Sequence, residues 1–160
     1  MCVLRFLSCV ESLDLVGDKR MKASLKACDV VIFGGGGDLA MRKLLPALYH
    51  LDMDGLLAPT TRIIGASRRE VSDADYQAKV RDALDEFVPS SVGDDSVWPR
   101  FKERLSYVSV DAQQESDFAR LNDHQVGGDD RDVVFYLATS PDLFGSICSS
   151  LATHGLNEDR

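Results

Sequence analysis

Four short apolar runs, separated by stretches with helical spacing, dominate the pattern of this chain. Runs rich in β-branched residues predict strands at residues 29–33, 61–66, 105–110 and 132–138. The first run is continuously apolar, which is typical of a strand buried on both faces of a parallel sheet. Apolar residues at helical spacing predict helices at 39–53, 73–87, 98–104, 115–124 and 142–154. Alternating strands and helices predict an α/β protein with a doubly wound, mostly parallel sheet.

The first predicted helix contains a proline. Leu44, Leu48 and Leu51 fall at helical spacing, and Asp38 is a suitable N-cap. Pro46 lies inside this pattern, where it lacks an N–H donor and clashes with the preceding turn. We therefore expect the helix to be kinked or divided at this position.

A run of four glycines, Gly34–Gly37, links the first predicted strand to this helix. Glycines here permit a tight turn, a close approach of backbone N–H groups to a phosphate, and a helix N-terminus aimed at the anion. Two registers fit, Gly35-x-Gly37-x-x-Ala40 and Gly34-x-x-Gly37-x-x-Ala40. No Gly-Lys-Ser/Thr follows, which excludes a P-loop. The segment predicts a Rossmann-like, dinucleotide-binding domain; the alternative is a flexible turn without a ligand.

Two arginines follow the second predicted strand. NAD-binding domains place an acidic residue at this position to bind the ribose hydroxyls. Arg68 and Arg69 would instead attract a 2′-phosphate, so the predicted dinucleotide is NADP. The alternative is a solvated pair of arginines at the end of the strand.

Composition and charge narrow the class of protein. Apolar residues make up 44% and charged residues 28%, and the formal net charge is −8, which argues against a nucleic-acid or anionic-membrane partner. No apolar run reaches the ~18 residues of a membrane span. The four cysteines, Cys2, Cys9, Cys28 and Cys148, contain no C-x-x-C pair, so we expect free thiols in a reducing cytoplasm and no metal site.

The N-terminal stretch has a weaker pattern of apolar and polar residues than the rest of the chain. Residues 1–20 show no helix or strand pattern joined to the sheet and no features of a secretory signal. We expect 1–27 to be a disordered extension, Met21 to be the functional start, and 28–160 to form the NADP-binding domain.

Several segments together resemble the N-terminal part of the glucose-6-phosphate dehydrogenase family. Gly-Gly-Asp-Leu-Ala-x-x-Lys at 36–43, followed by Leu-Leu-Pro-Ala-Leu at 44–48, is similar to the family signature, and supporting matches lie at 62–68, 107–111 and 135–138. The resemblance implies NADP-dependent oxidation of D-glucose 6-phosphate to 6-phosphogluconolactone, the first step of the oxidative pentose phosphate pathway. It also implies a cytoplasmic parent protein that is a homo-oligomer.

The same resemblance assigns roles to individual residues. Lys43 would be on the substrate side, and Arg68 would hold the 2′-phosphate. The implied cofactor-binding residues are Gly34, Gly35, Gly36, Gly37, Asp38, Leu39, Ala40, Met41, Arg68, Asp111, Ala112 and Ala138. Among these, Asp111 and Ala112 would lie beside the cofactor and Ala138 near its nicotinamide half.

Three departures from the family pattern matter. Gly35 stands where the family commonly has Ala, and Gly36 stands where it commonly has Ser, Thr or Lys. A side chain that often reaches the adenosine phosphate is therefore missing. Ser140-Pro141 replaces Pro-Pro, and the sequence stops at Arg160, before the family's sugar-binding Lys and its His base.

We therefore expect a coenzyme-binding fragment with no catalytic residue of its own. His50, His124 and His154 are predicted at helix ends, where they do not replace the missing base. The alternatives are another NADP-dependent oxidoreductase and a non-catalytic dinucleotide-binding module.

Overall fold

The computed structural model describes residues 3–4, 27–89, 95–128 and 131–156. Its strands are β1 (Val3–Leu4), β2 (Cys28–Phe33), β3 (Arg62–Ser67), β4 (Leu105–Ser109) and β5 (Asp132–Leu137). They form one sheet in the order β1-β5-β2-β3-β4, in which β2 to β5 are parallel and β1 is antiparallel to β5. The predicted mostly parallel, Rossmann-like sheet is confirmed.

Strand β2 occupies the point where the strand order reverses. The chain continues from β2 to β3 and β4 on one side, and then returns to place β5 on the other side. In open α/β sheets a crevice forms beyond the carboxyl ends of the strands at such a reversal, and ligands bind in it. The glycine run follows β2, so the topology places it at this crevice.

Helices cover both faces of the sheet. They are a π-helix (Ala40–Leu44), α1 (Leu45–Met53), α2 (Asp73–Phe87), α3 (Trp98–Arg104), α4 (Ala119–Asp123) and α5 (Phe144–Thr153), with short 3₁₀ turns at Asp95–Val97, Glu115–Phe118 and Pro141–Leu143. One apolar core lies between the sheet and the π-helix with α1, α2 and α3. A second core lies on the opposite face, under α4 and α5. These two cores make the sheet doubly wound.

The proline in the first predicted helix divides it as expected. Leu45 N–H donates to Ala40 O, five residues back, so the turn before Pro46 is a π-turn and α1 begins beyond it. The prediction of Asp38 as a side-chain N-cap is wrong. Residues 38–39 are already helical, and the Asp38 carboxylate forms an ion pair with Arg42 one turn later, at 3.5 Å.

A buried carboxylate joins the amino ends of the central strands. Asp29 of β2 is completely buried, and Arg62 of β3 donates to its Oδ1 from Nε at 2.8 Å. Arg131, which precedes β5, lies 3.6 Å from the same oxygen, and Gly127 N–H donates to Oδ2 at 2.9 Å. This cluster, called the Asp29 clamp below, lies at the edge of the sheet opposite the glycine run.

The N-terminal stretch contributes one element that the pattern did not predict. Val3 and Leu4 pair with Tyr136 and Phe135 of β5. Two residues are too few for an apolar periodicity, so this strand gave no sequence signal. Residues 5–26, which contain Met21, lie outside the described residues, as do parts of the predicted turns at 90–94 and 129–130. The boundary between extension and domain stays a prediction.

Candidate functional site

The residues that follow the parallel strands meet at one edge of the sheet. Gly34 N–H donates to Ala66 O in β3 at 2.8 Å, and Ala138 N–H donates to Phe33 O in β2 at 2.8 Å. Val110 N–H likewise continues the pairing of β4 with β3. The sheet therefore brings together the segments at 34–37, 67–68, 110–112 and 138–139, as the sequence predicts for the carboxyl ends of parallel strands.

The glycines of the run serve different structural needs. Gly34 has a φ of +80°, and a Cβ there would overlap the carbonyl oxygen of Ala138. A Cβ on Gly35 would lie 2.6 Å from the Cα of Gly65 in β3. By contrast, a Cβ on Gly36 would meet its nearest atom, Ser67 Oγ, at 3.7 Å. The first two glycines are required by the turn and by close packing, whereas a Cβ on Gly36 would make only ordinary van der Waals contacts.

Backbone donors remain available in the run and at the start of the helix. Within the described residues, the N–H groups of Gly36, Asp38 and Leu39 have no hydrogen-bond acceptor. Met41 N–H makes the first helical hydrogen bond, to Gly37 O at 3.1 Å. Unpaired N–H groups at a helix N-terminus provide an anion-binding site.

Helix α2 holds two successive carbonyl groups of the run. The Tyr76 hydroxyl donates to Gly35 O at 3.4 Å, and the Lys79 ammonium donates to Gly36 O at 2.6 Å. In a trans peptide the N–H points opposite to the C=O, so the Gly36 N–H faces away from α2. Burial raises the pKa of Tyr76 well above its usual value, which keeps its hydroxyl protonated.

The sequence pattern gives no indication of the contact between α2 and the glycine run. Tyr76 and Lys79 are one helical turn apart and therefore share a face of α2. That spacing is common in helices and is not a binding motif. It therefore did not indicate that this face of α2 lies against the glycine run.

The other predicted cofactor residues fall into two groups. Leu39 (45% exposed), Asp38 and Arg68 present their side chains to solvent at this edge. Ala40 and Met41 are buried in the core under the π-helix, although Met41 also contributes to the wall of the cleft beside α2.

At the ends of β4 and β5, the predicted residues are half-buried. Asp111 accepts from Gln113 N–H and donates its own N–H to Asp117, both at 3.0 Å, while Ala112 packs against the second core. Ala138 lies against Gly34, and beside it Thr139 Oγ1 is buried without a hydrogen-bond partner in the described residues. An unsatisfied buried hydroxyl is uncommon in proteins.

An open cleft of about 580 Å³ lies between the glycine run and α2. It is lined by Gly36, Gly37, Asp38, Met41, Arg42, Lys79, Asp82, Ala83, Glu86 and Phe87. Lys43, the predicted substrate-side residue, is exposed on the π-helix and does not line this cleft.

The three histidines lie at helix ends. His50 is in the last turn of α1, and His124 follows α4 with its Nε2 3.1 Å from Ser106 Oγ. His154 follows α5 and stacks on Phe118. In the described part of the chain, no cluster of three or more His, Cys, Asp or Glu could hold a metal ion, and no helix is long and apolar enough to cross a membrane.

A glycine run with free N–H groups, at the switch point of a doubly wound sheet, defines a dinucleotide-binding domain. The particular family is shown by comparison. Residues 31–160 match the family described as "Glucose-6-phosphate dehydrogenase, NAD binding domain", so the chain belongs to this family.

Individual proteins agree with this assignment. The chain is 48% identical over 141 residues to glucose-6-phosphate 1-dehydrogenase of Mycolicibacterium smegmatis and 45% identical over 128 residues to that of Rhizobium meliloti. These matches cover 86% and 80% of this chain, but only 28% and 26% of the two relatives. The chain thus spans little more than a quarter of their length.

Solved structures show the same fold. The crystal structure of glucose-6-phosphate 1-dehydrogenase from Mycobacterium avium superposes with a TM-score of 0.75 at 30% identity, covering 84% of this chain and 28% of the other. A glucose-6-phosphate dehydrogenase in complex with its substrate, glucose 6-phosphate, superposes with a TM-score of 0.69 at 32% identity, over 79% and 27% of the respective chains.

Proposed function

We propose that the protein containing this sequence oxidises D-glucose 6-phosphate to 6-phosphogluconolactone with NADP, and that residues 28–160 bind the dinucleotide. The observation that carries the proposal is the glycine run at the switch point, with its donors free, in a chain of this family. The solved relative with bound glucose 6-phosphate supports the choice of substrate. The two alternatives, a different NADP-dependent oxidoreductase and a non-catalytic module, are not favoured by these relatives.

The residues at the edge of the sheet fit a nicotinamide dinucleotide. The free N–H groups of Gly36, Asp38 and Leu39 suit its pyrophosphate. Thr139, which directly follows Ala138 after β5, has a buried hydroxyl without a hydrogen-bond partner in the described residues, and a polar group of the cofactor would satisfy it. The bound cofactor supplies the hydride acceptor, and the protein supplies its position.

The choice of NADP rests on Arg68. Its side chain is exposed directly after β3, where the ribose of the cofactor is bound in this class of domain. A guanidinium at this position forms charge-assisted hydrogen bonds with a 2′-phosphate. Asp111, Ala112 and Ala138 complete the proposed contacts at the ends of β4 and β5.

Further parts of the proposal concern the whole protein. Lys43 would act on the substrate side, although it lies outside the cleft beside α2. A homo-oligomeric state, a cytoplasmic location and a role in the pentose phosphate pathway belong to the same proposal.

A charge reversal in the glycine run tests this function. Position 36 has room for a side chain, so Gly36→Asp should fold while placing a carboxylate beside the bound phosphates. Like charges in close contact cost several kcal/mol, so we expect the NADP dissociation constant, measured by calorimetry, to rise at least about tenfold. Gly36→Ala, which adds only an uncharged Cβ, is the matched control and should bind like the unmodified chain. Equal affinity of all three proteins would refute the proposed binding site.

A further inference from the structure

We propose that Lys79 of α2 is a second cationic ligand for the 2′-phosphate of the cofactor, in addition to Arg68, and that it substitutes for the side chain absent at Gly36. This inference rests on the proposed function, because it requires NADP to bind at the glycine run. It assigns a specificity-determining role to a helix outside the glycine motif.

The ammonium group of Lys79 lies beside Gly36. Lys79 Nζ lies 2.6 Å from Gly36 O and 3.9 Å from the point that a Cβ on Gly36 would occupy. Ser67 Oγ lies 3.7 Å from the same point, and Ser67 directly precedes Arg68. A phosphate near position 36 would therefore lie close to both the Lys79 ammonium group and the end of β3.

The charged side chains that line the cleft also bear on how an anion could bind there. Its carboxylates are Asp38, Asp82 and Glu86, so an anion would be repelled without a cation to offset them. Arg42 forms an ion pair with Asp38 at 3.5 Å and lies over the ring of Phe87, so an anion would compete with these contacts for its guanidinium group.

Lys79 is better placed than Arg42 to bind an anion. An ammonium group has three donors. Within the described residues, the hydrogen bond to Gly36 O accounts for one of them, and no carboxylate forms an ion pair with Lys79. The remaining donors can bind phosphate oxygens without breaking an ion pair.

The direction of the peptide groups distinguishes between the phosphates of NADP. The Gly36 N–H points away from α2, so a pyrophosphate held by the free N–H groups lies on the far side of the run. Lys79 lies on the near side, next to Ser67 and the end of β3, where the adenosine ribose binds in this class of domain. The geometry assigns Lys79 to the 2′-phosphate.

Calorimetric titration of the full chain with NADP, NAD, 2′,5′-ADP and 5′-AMP tests the assignment. For Lys79→Ala we expect the dissociation constants of NADP and 2′,5′-ADP to rise about tenfold or more, as for the loss of one charge-assisted hydrogen bond. Those of NAD and 5′-AMP should not change. Lys79→Arg should retain most of the affinity, and Lys102→Ala, an exposed lysine on α3, should behave like the unmodified chain.

A compensating variant strengthens the test. In the Lys79→Ala background, Gly36→Lys would place an ammonium group in the same space and should recover affinity for 2′,5′-ADP. Unchanged NADP binding in Lys79→Ala would overturn the inference and leave the proposed function intact. Equal weakening of NAD and NADP would also overturn it, because Lys79 would then act on the pyrophosphate or the loop. An unmodified chain that binds none of the four ligands would refute the proposed function and this inference together.

Discussion

At the scale of single residues, two glycines beside the site have opposite tolerance for a side chain. A Cβ on Gly65 would lie 2.5 Å from the Tyr76 hydroxyl and ring. Tyr76 is buried, so its side chain cannot move away from that Cβ. We expect Gly65→Ala to lower the free energy of unfolding by about 1–3 kcal/mol, the usual cost of overpacking. Gly36→Ala, with no atom closer than 3.7 Å, is the control and should change it little. Urea denaturation measures both, and equal effects would contradict the packing argument.

The exposed arginines after β3 allow a second test at this scale. Arg68→Ala should weaken NADP binding by about 10- to 150-fold, as expected for about 1.5–3 kcal/mol from a charge-assisted contact. NAD binding should change little, because NAD has no 2′-phosphate. Arg69→Ala is the matched control, since Arg69 is also exposed and is the next residue. Equal losses for both cofactors would show that Arg68 supports the fold or the pyrophosphate instead.

At the scale of the elements, the Asp29 clamp connects the starts of β2, β3 and β5. Its carboxylate is completely buried, so removal would leave Arg62 and Arg131 without their buried partner. We expect Asp29→Ala to reduce the free energy of unfolding by about 3–5 kcal/mol. Asp85→Ala, which removes an exposed pair with Arg81 on α2, should cost under about 1 kcal/mol. Thermal denaturation compares the two, and similar losses would refute a special role for the clamp.

The elements also show where sequence reasoning succeeds and where it fails. Helix α2 runs from Asp73 to Phe87 as predicted, because its apolar stripe and its cap at Ser72 are local signals. The break at Pro46 was predictable, since proline lacks a donor, but its form as a π-turn depends on packing against the sheet. The glycine run could be recognised from its flanking strand and helix. The contact of Lys79 with Gly36 could not, because it joins residues that only the tertiary fold brings together.

At the scale of the whole molecule, the three histidines lie at helix ends, away from the glycine run. His124 follows α4, and Arg62, at the amino end of β3, donates to its carbonyl at 3.5 Å, which places His124 away from the glycine run. His50 and His154 end helices α1 and α5. We expect the 160-residue chain to bind NADP but to form no NADPH with saturating glucose 6-phosphate, because loss of a general base alone costs about 10²–10⁴ in rate. Absorbance of the reduced cofactor provides the measurement, and clear turnover would require a base among these histidines.

The pairing of β2 with β5 has a consequence for synthesis on the ribosome. Cys28 lies opposite Asp132, so the central strand waits for one of its two neighbours while roughly one hundred residues are added. At about 5–20 residues per second, this interval is on the order of 5–20 seconds. During that time β2 can pair with β3 but exposes its other edge, and an unpaired apolar edge promotes aggregation. The same strand order that creates the crevice therefore leaves this edge of β2 exposed in the nascent chain until β5 has emerged.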